Sequence, residues 1–344
     1  MKLSDFDYNL PEELIALEPI QKRDNAKLMV LDRCSQKIEH SNFFEIGKYF
    51  RKGDVLILNN TKVVPARFFG ENEKKAKIEI LLLKKKSEAP IIFEALLKPG
   101  KKIKIGNKIQ FGNNAIYGTV IARSETGTWD IQFASSSEFA EISKFGEMPL
   151  PPYIMKHRKV LQDDKINYQT TYAKHNGAIA APTAGLHWTP ELLDKVKKIG
   201  VKVLEITLHI GYGTFKPIIV EDIENHKMHE EQYEITEEIA YEINSAKKSG
   251  RRVIANGTSA VRTLESSVQQ GKLEYKKDWS NLFIYPGYKF KVVDAMITNF
   301  HIPKSTVLIL TCAFAGKDFL LNAYQEAIKN HYRFLSFGDA TFVV

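Results

Sequence analysis

The sequence predicts an α/β protein: a mixed α/β domain into which a small antiparallel β-barrel is inserted. Three observations carry that prediction. Residues 78–133 alternate apolar and polar side chains with period two, and turn residues separate the runs. Outside that region, buried-strand runs alternate with capped helical segments. The stretch before the alternating region carries a strand but is too short for a domain of its own, so the β module reads as an insertion.

Within the β module, Ile103, Ile105, Ile109 and Phe111 alternate with polar residues, followed by Ile116, Val120 and Ala122, then Trp129, Ile131 and Phe133. Pro99-Gly100, Gly106-Asn107, Gly112-Asn113-Asn114 and Glu125-Thr126-Gly127 supply turn chemistry between them. Roughly six short strands at hairpin spacing make a small barrel or sandwich. The expected bounds are 64–152, closing in "MPLPPYI", a stiff proline-rich connector at Met148–Ile154.

The α/β part is then 1–63 with 153–344. Asp54–Leu58, Val201–Leu208, Arg252–Ala255 and Thr306–Leu310 read as buried strands. Thr189-Pro190-Glu191 offers an N-cap, a proline at the first helical position and an acid in the first turn; Gly200 closes that helix. Thr236 with Glu237 and Glu238 opens a second helix, with Ile239 and Ile243 one turn apart and Gly250 at its end. Lys317–Asn330 reads as a third.

The 344 residues are 44% hydrophobic and 26% charged, ordinary for a globular chain of about two domains. Cys34 and Cys312 have no CxxC or His-rich companion, which argues against a disulfide framework and a zinc site alike. No stretch approaches the roughly 20 apolar residues of a membrane span, and the N-terminus lacks a signal-peptide core, so a cytoplasmic protein is expected. A net charge of +8 favours an anionic partner such as nucleic acid, with a solvated basic surface as the alternative.

Seven segments present polar groups on loops. "APTAGLHWTPELL" (Ala181–Leu193) sets His187 and Trp188 at a loop–helix junction. "LHIGYGTFKP" follows a strand with His209, Gly211, Tyr212, Gly213 and Thr214; the glycines allow close backbone approach, although a plain glycine turn explains them as well. It lacks the third glycine of a dinucleotide fingerprint. "RRVIANGTSAVRTLES" leads from a strand through Gly257, Thr258 and Ser259 into a helix bearing Arg262, an arrangement suited to a carboxylate or phosphate, or simply to capping. "NHKMHEEQY" brings His229 beside Glu230 and Glu231, in an order that supplies no zinc motif but serves proton transfer. "ITNFHIPKST" offers Asn299 and His301, and "FGDA" offers Asp339 on a glycine turn that Phe334, Phe337 and Phe342 should tie to the core. "NNTKVVPARF" adds Lys62 and Arg67, and the runs Lys74-Lys75-Ala76-Lys77 and Lys84-Lys85-Lys86 add positive charge to the β module; guarding strand edges is their alternative role.

In order along the chain, "DYNLPEELIALEPIQKRD", "GEMPLPPYI", "APTAGLHWTPELL", "LHIGYGTF", "MHEEQY", "GTSAVRTLES", "TNFHIPKSTVLIL" and "FGDA" resemble the S-adenosylmethionine:tRNA ribosyltransferase-isomerases, from residue 3 to 341. The chain departs from the family pattern at Trp188 (usually phenylalanine), Glu230 (commonly serine) and Phe337 (commonly tyrosine). The resemblance implies an α/β domain with an inserted β-barrel and an enzyme of queuosine biosynthesis acting on tRNA. It implies S-adenosylmethionine as a ribosyl-donating co-substrate, with no permanently bound cofactor, no metal and no membrane. The ribosyl part goes to the aminomethyl group of a wobble deazaguanine and is isomerised, giving epoxyqueuosine with release of adenine and methionine. A monomer is expected.

That chemistry needs a base beside the sulfonium, a proton for departing adenine and a cradle for the methionine carboxylate. His187, His209, His229, His301 and Asp339 are the candidates for proton transfer. Trp188, the Gly211–Thr214 loop, Gly257, Thr258, Ser259, Arg262 and Asn299 are expected to hold substrate; Lys62, Arg67, Lys84, Lys85 and Lys86 are expected to contact RNA. Two other classes stay open. A pure RNA-binding module has no evident need for the polar, glycine-flanked loops, and a methyltransferase would carry a glycine-rich turn where "NNTKVVPARF" stands.

Overall fold

The apolar runs of the α/β part become the strands of one mixed sheet. The computed structural model describes residues 1–112, 116–125, 127–133 and 142–344. Its sheet strands, numbered along the chain, are β1 (Lys27–Asp32), β2 (Lys37–Asn42), β3 (Val55–Asn59), β4 (Lys202–Leu208), β5 (Glu231–Ile235), β6 (Val253–Asn256), β7 (Lys276–Ser280), β8 (Ala295–Asn299) and β9 (Ala340–Val343). They lie in the order β7-β5-β4-β3-β6-β8-β9-β1-β2. The central four, β4, β3, β6 and β8, are mutually parallel. Every residue of β3, β6, β8 and β9 is buried, as expected of strands covered on both faces.

The helices of this unit are α1 (Pro190–Lys198), α2 (Glu237–Lys248), α3 (Thr258–Ser266), α4 (Thr306–Ala315) and α5 (Lys317–Lys329). Thr189 Oγ1 accepts the Leu192 N–H at 3.2 Å and Thr236 Oγ1 the Ile239 N–H at 3.4 Å, so both N-caps act as their sequence suggests. Thr306–Leu310, expected as a strand, is instead the start of α4. An unbroken apolar run has no period to separate buried strand from buried helix; Ser305, whose Oγ accepts the Leu308 N–H, decides the matter as an N-cap. The strand in that neighbourhood is β8, eleven residues upstream by its first residue, Ala295. Among the described residues no single helix is long and apolar enough to cross a membrane; α4 and α5 reach that length only together, bent by 112°.

The chain divides into two compact units, Met1–Lys62 with Ile166–Val344, and Val63–Lys165. Residues 153–165, given to the α/β part on sequence, fall in the second unit, and the expected connector runs into a short helix, Pro152–His157. The second unit holds a closed antiparallel barrel of six strands: Arg67–Asn72, Lys77–Glu88, Ile91–Lys98, Lys108–Phe111, Ile116–Arg123 and Trp129–Phe133. Phe68, Ile80, Ile109, Phe111, Val120, Ile131 and Phe133 fill it. Ile103 and Ile105 lie in the connection before Lys108–Phe111 rather than in a strand; Ile103 is buried, while Ile105 is exposed. The turn residues Asn113, Asn114 and Thr126 lie outside the described residues.

Candidate active site at the carboxyl ends of the parallel strands

Three apolar strands end in the same residue type. Asn59 closes β3, Asn256 closes β6 and Asn299 closes β8, all buried and all at the carboxyl edge of the parallel set. Asn59 is saturated: its Nδ2 donates to the Leu208 carbonyl (3.0 Å) and Ser259 Oγ (3.1 Å), and its Oδ1 accepts the Leu208 and Thr61 N–H groups. Asn256 is held between the Trp188 indole N–H (2.9 Å) and the Tyr172 hydroxyl (3.3 Å). Asn299 Nδ2 donates to His187 Nε2 and to the Leu335 carbonyl, both at 3.2 Å, but its buried Oδ1 has no hydrogen-bond partner. A buried carbonyl oxygen without a donor is costly to keep and marks a place for an incoming N–H or O–H.

Beside Asn256, Gly257 takes φ +91°, a conformation that favours glycine, and opens α3 with no side-chain cap. The first-turn amides of Thr258, Ser259 and Ala260 therefore have no partner within the helix and suit a carboxylate. Arg262, expected as an anion ligand, is committed elsewhere. It forms a buried ion pair with Glu231 and donates to the carbonyls of Leu282 (3.1 Å) and Ser280 (3.2 Å). Glu231 in turn accepts the Gly211 N–H (2.9 Å) and the Thr214 hydroxyl (3.3 Å), so it fixes the Gly211–Thr214 loop in place. Tyr212 stands within that loop, half-buried.

His209 follows β4 and is half-buried; Nδ1 lies 2.7 Å from Thr61 Oγ1, and the bare backbone of Gly177 lies against the ring. Burial lowers its pKa, helped by His175 and Lys277. The imidazole is neutral near pH 7 and ready to accept a proton. His229 is exposed and rests on Gly213, where an added Cβ would come within 2.8 Å of its ring.

The remaining candidates are more deeply engaged. His187 is buried against Phe43 (4.9 Å between rings), receives Asn299 Nδ2 and hydrogen-bonds the Arg23 backbone; burial lowers its pKa to about 4. Trp188, expected in the substrate pocket, is wholly buried in the hydrophobic core against Phe43 and Phe50. Its contact with Asn256 makes it a support for the site. His301 contacts Thr298 Oγ1 (3.0 Å), with Tyr8 donating to its carbonyl and its own N–H donating to the Tyr324 hydroxyl; burial lowers its pKa to about 3. Asp339 accepts the backbone N–H groups of Lys27 (2.8 Å) and Arg333 (2.7 Å), one on each oxygen, and so acts as a backbone clamp. Burial raises its pKa against those two bonds. Among the described residues no three His, Cys, Asp or Glu side chains gather to hold a metal ion.

Among the expected RNA contacts, Lys62 is exposed, whereas Arg67 is half-buried and paired with Glu79. Lys85 pairs with Glu88 (2.6 Å) and Lys86 with Asp130 (2.7 Å), while Lys84 faces Glu94 across the hairpin. Sequence reasoning missed Tyr172, and it did not foresee the positions that Asn59, Asn256 and Glu231 take in the site. The signal was present as "LILN", "VIAN" and "MITN", three buried runs each ending in asparagine.

Open α/β sheets take their ligands at the carboxyl ends of parallel strands, and the polar groups gathered there make this an α/β enzyme. Comparison gives the family. A family model described as queuosine biosynthesis protein matches residues 3–343. The S-adenosylmethionine:tRNA ribosyltransferase-isomerases of Caldanaerobacter subterraneus subsp. tengcongensis and Clostridioides difficile are 50% and 51% identical to the chain, each over the whole of both proteins. A crystal structure of S-adenosylmethionine tRNA ribosyltransferase from Thermotoga maritima matches at 38% identity with a TM-score of 0.57, covering 99% of this chain and 100% of that one. The chain belongs to the S-adenosylmethionine:tRNA ribosyltransferase-isomerase family of queuosine biosynthesis.

Proposed function

We propose that the protein transfers the ribosyl moiety of S-adenosylmethionine to the aminomethyl group of a 7-aminomethyl-7-deazaguanine wobble base in tRNA and isomerises it, leaving epoxyqueuosine and releasing adenine and methionine. The names of the relatives support the two substrates and the reaction class. The observation that carries the reading to this chain is the carboxyl edge of β3, β6 and β8. There, fixed asparagine amides, the open amides of α3 and the unpartnered Oδ1 of Asn299 suit a neutral purine and a carboxylate at neighbouring positions.

In this reading the first turn of α3, with Gly257, Thr258 and Ser259, holds the methionine carboxylate. Asn299 Oδ1 accepts from the adenine amino group. His209, reachable and neutral, takes the proton beside the sulfonium, and His229 on the Gly213 loop is the second proton-transfer group. His187, His301 and Asp339 position strand ends and loops. Arg262 and Trp188 act through Glu231 and Asn256. The protein works without a resident cofactor, as a cytoplasmic monomer.

The test is to incubate the protein with S-adenosylmethionine and tRNA bearing the aminomethyl base, then separate the small molecules. Equimolar adenine and methionine support the proposal. S-adenosylhomocysteine would make the protein a methyltransferase, and tRNA binding without turnover would make it an RNA-binding module.

A further inference from the structure

The connection between the third and fourth barrel strands carries Lys101, Lys102 and Lys104, flanked by Lys98 and Lys108 at the adjoining strand ends, with no acidic residue from 98 to 108. All five side chains are exposed, and none forms an ion pair among the described residues. The segment is held rather than loose. Ile103 is buried, the Lys102 carbonyl accepts Asn72 Nδ2 (3.4 Å), and the Lys104 N–H donates to Asn107 Oδ1 (2.8 Å). Gly106 N–H donates to the Val120 carbonyl (2.7 Å), and Val120 N–H returns a bond to Asn107 (2.9 Å).

Strand register places these lysines at one end of the barrel. Glu71 pairs with Lys77 on one side and Gln110 on the other, Asn72 with Ile109, and Glu79 with Lys98, so the 72–77 turn and the 98–108 connection share that end. Lys74 in the turn is exposed too. Among the described residues, Glu71 and Glu79 are met by Lys75 and Arg67, and Glu73 and Glu125 are exposed. The barrel is closed, so these lysines have no open sheet edge to guard. Unpaired like charges held together on a fixed segment cost stability and need another reason to be there.

We propose that the Lys98–Lys108 end of the barrel is a binding surface for the RNA phosphate backbone, distinct from the run Lys84–Lys86, where Lys85 and Lys86 are ion-paired. The proposal deepens the tRNA reading above and rests on it. Flexible ammonium groups on a rigid base contact phosphates without reading sequence, and they anchor an RNA stem while its reactive base is presented elsewhere. Each phosphate so neutralised releases counterions, which gives the experiment its readout.

The dissociation constant for tRNA is measured against salt for the wild type, for the fourfold variant K98Q/K101Q/K102Q/K104Q, and for the same four positions changed to arginine. The proposal expects the slope of log K against log salt to fall by roughly 0.7–0.9 per lysine lost in the glutamine variant. It also expects binding at least about tenfold weaker at 50 mM salt, with the arginine variant close to wild type. A wild-type slope in the glutamine variant overturns the proposal, as does an equal loss in the arginine variant, which would trace the effect to shape rather than charge. Wild-type protein whose tRNA binding ignores salt overturns it too. Turnover is followed in parallel on wild type: salt-dependent binding without turnover removes the catalytic reading and leaves this surface standing.

Discussion

The backbone N–H of Gly211 donates to Glu231 Oε1 at 2.9 Å, while the other oxygen of the same carboxylate pairs with Arg262. One buried acid thereby ties the glycine loop after β4 to helix α3. Removing it leaves a buried guanidinium without its counter-charge, which typically costs 3–5 kcal/mol. Glu231→Ala is expected to lose about that much stability in urea denaturation and to raise the KM for S-adenosylmethionine, because the loop loses its anchor. A stability change under about 1 kcal/mol would show that the pair does not hold the loop.

The ring of His209 lies against Gly177, whose φ is +150° and whose hypothetical Cβ would sit 2.8 Å from the imidazole. Gly177→Ala must therefore displace the ring or strain the backbone. If His209 is the base, Gly177→Ala and His209→Ala each lower kcat by about 100-fold or more. Burial holds the His209 pKa below its ordinary 6.5, so the acid limb of the wild-type rate profile should fall below pH 6.5. Wild-type kcat in His209→Ala would remove the residue from the reaction.

His187 must stay neutral in the fold, since burial lowers its pKa from 6.5 to about 4. Below pH 6.5 the unfolded chain takes up a proton that the folded chain refuses. The stability associated with this residue is complete above pH 6.5 and drains away as pH falls toward about 4, by roughly 3 kcal/mol in all. His301, with its pKa near 3, adds in the same direction. His187→Gln keeps a side chain able to accept from Asn299 and does not titrate. Its stability should fall less steeply between pH 6.5 and 4 than that of the wild type; identical slopes would mean that His187 does not carry the effect.

Asn299 serves two neighbours with Nδ2 and none with Oδ1. Asn299→Ala strands His187 Nε2, a cost of about 1–3 kcal/mol, while the Leu335 carbonyl keeps the Gly338 N–H. If Oδ1 receives the donor nucleoside, KM for S-adenosylmethionine also rises, while KM for tRNA does not. Equal rises in both constants would point to general loosening of the site.

Periodicity revealed the parts of the fold that carry a period or a cap. The barrel strands alternate, and Thr189 and Thr236 announce their helices by hydroxyls that the structure finds bonded to the third residue on. It failed where burial erased the period: "TVLIL" is helix because of Ser305, and Ile105 breaks its apparent alternation by sitting exposed on a loop. The site was legible as loops and much less so as roles. His187, Trp188, Arg262 and Asp339 are chemically capable residues, and only tertiary contacts show that their polar groups are already spent on Asn299, Asn256, Glu231 and two backbone amides. Long-range partners of that kind leave no local trace in sequence.

In the proposed reaction the ribosyl group of S-adenosylmethionine, and not its methyl group, moves to tRNA. This is tested by supplying the donor labelled either in the ribosyl carbons or in the methyl carbon and counting label in recovered tRNA. Stoichiometric ribosyl label and no methyl label are expected. Methyl label in the tRNA, with ribosyl label left in S-adenosylhomocysteine, would contradict the proposed reaction.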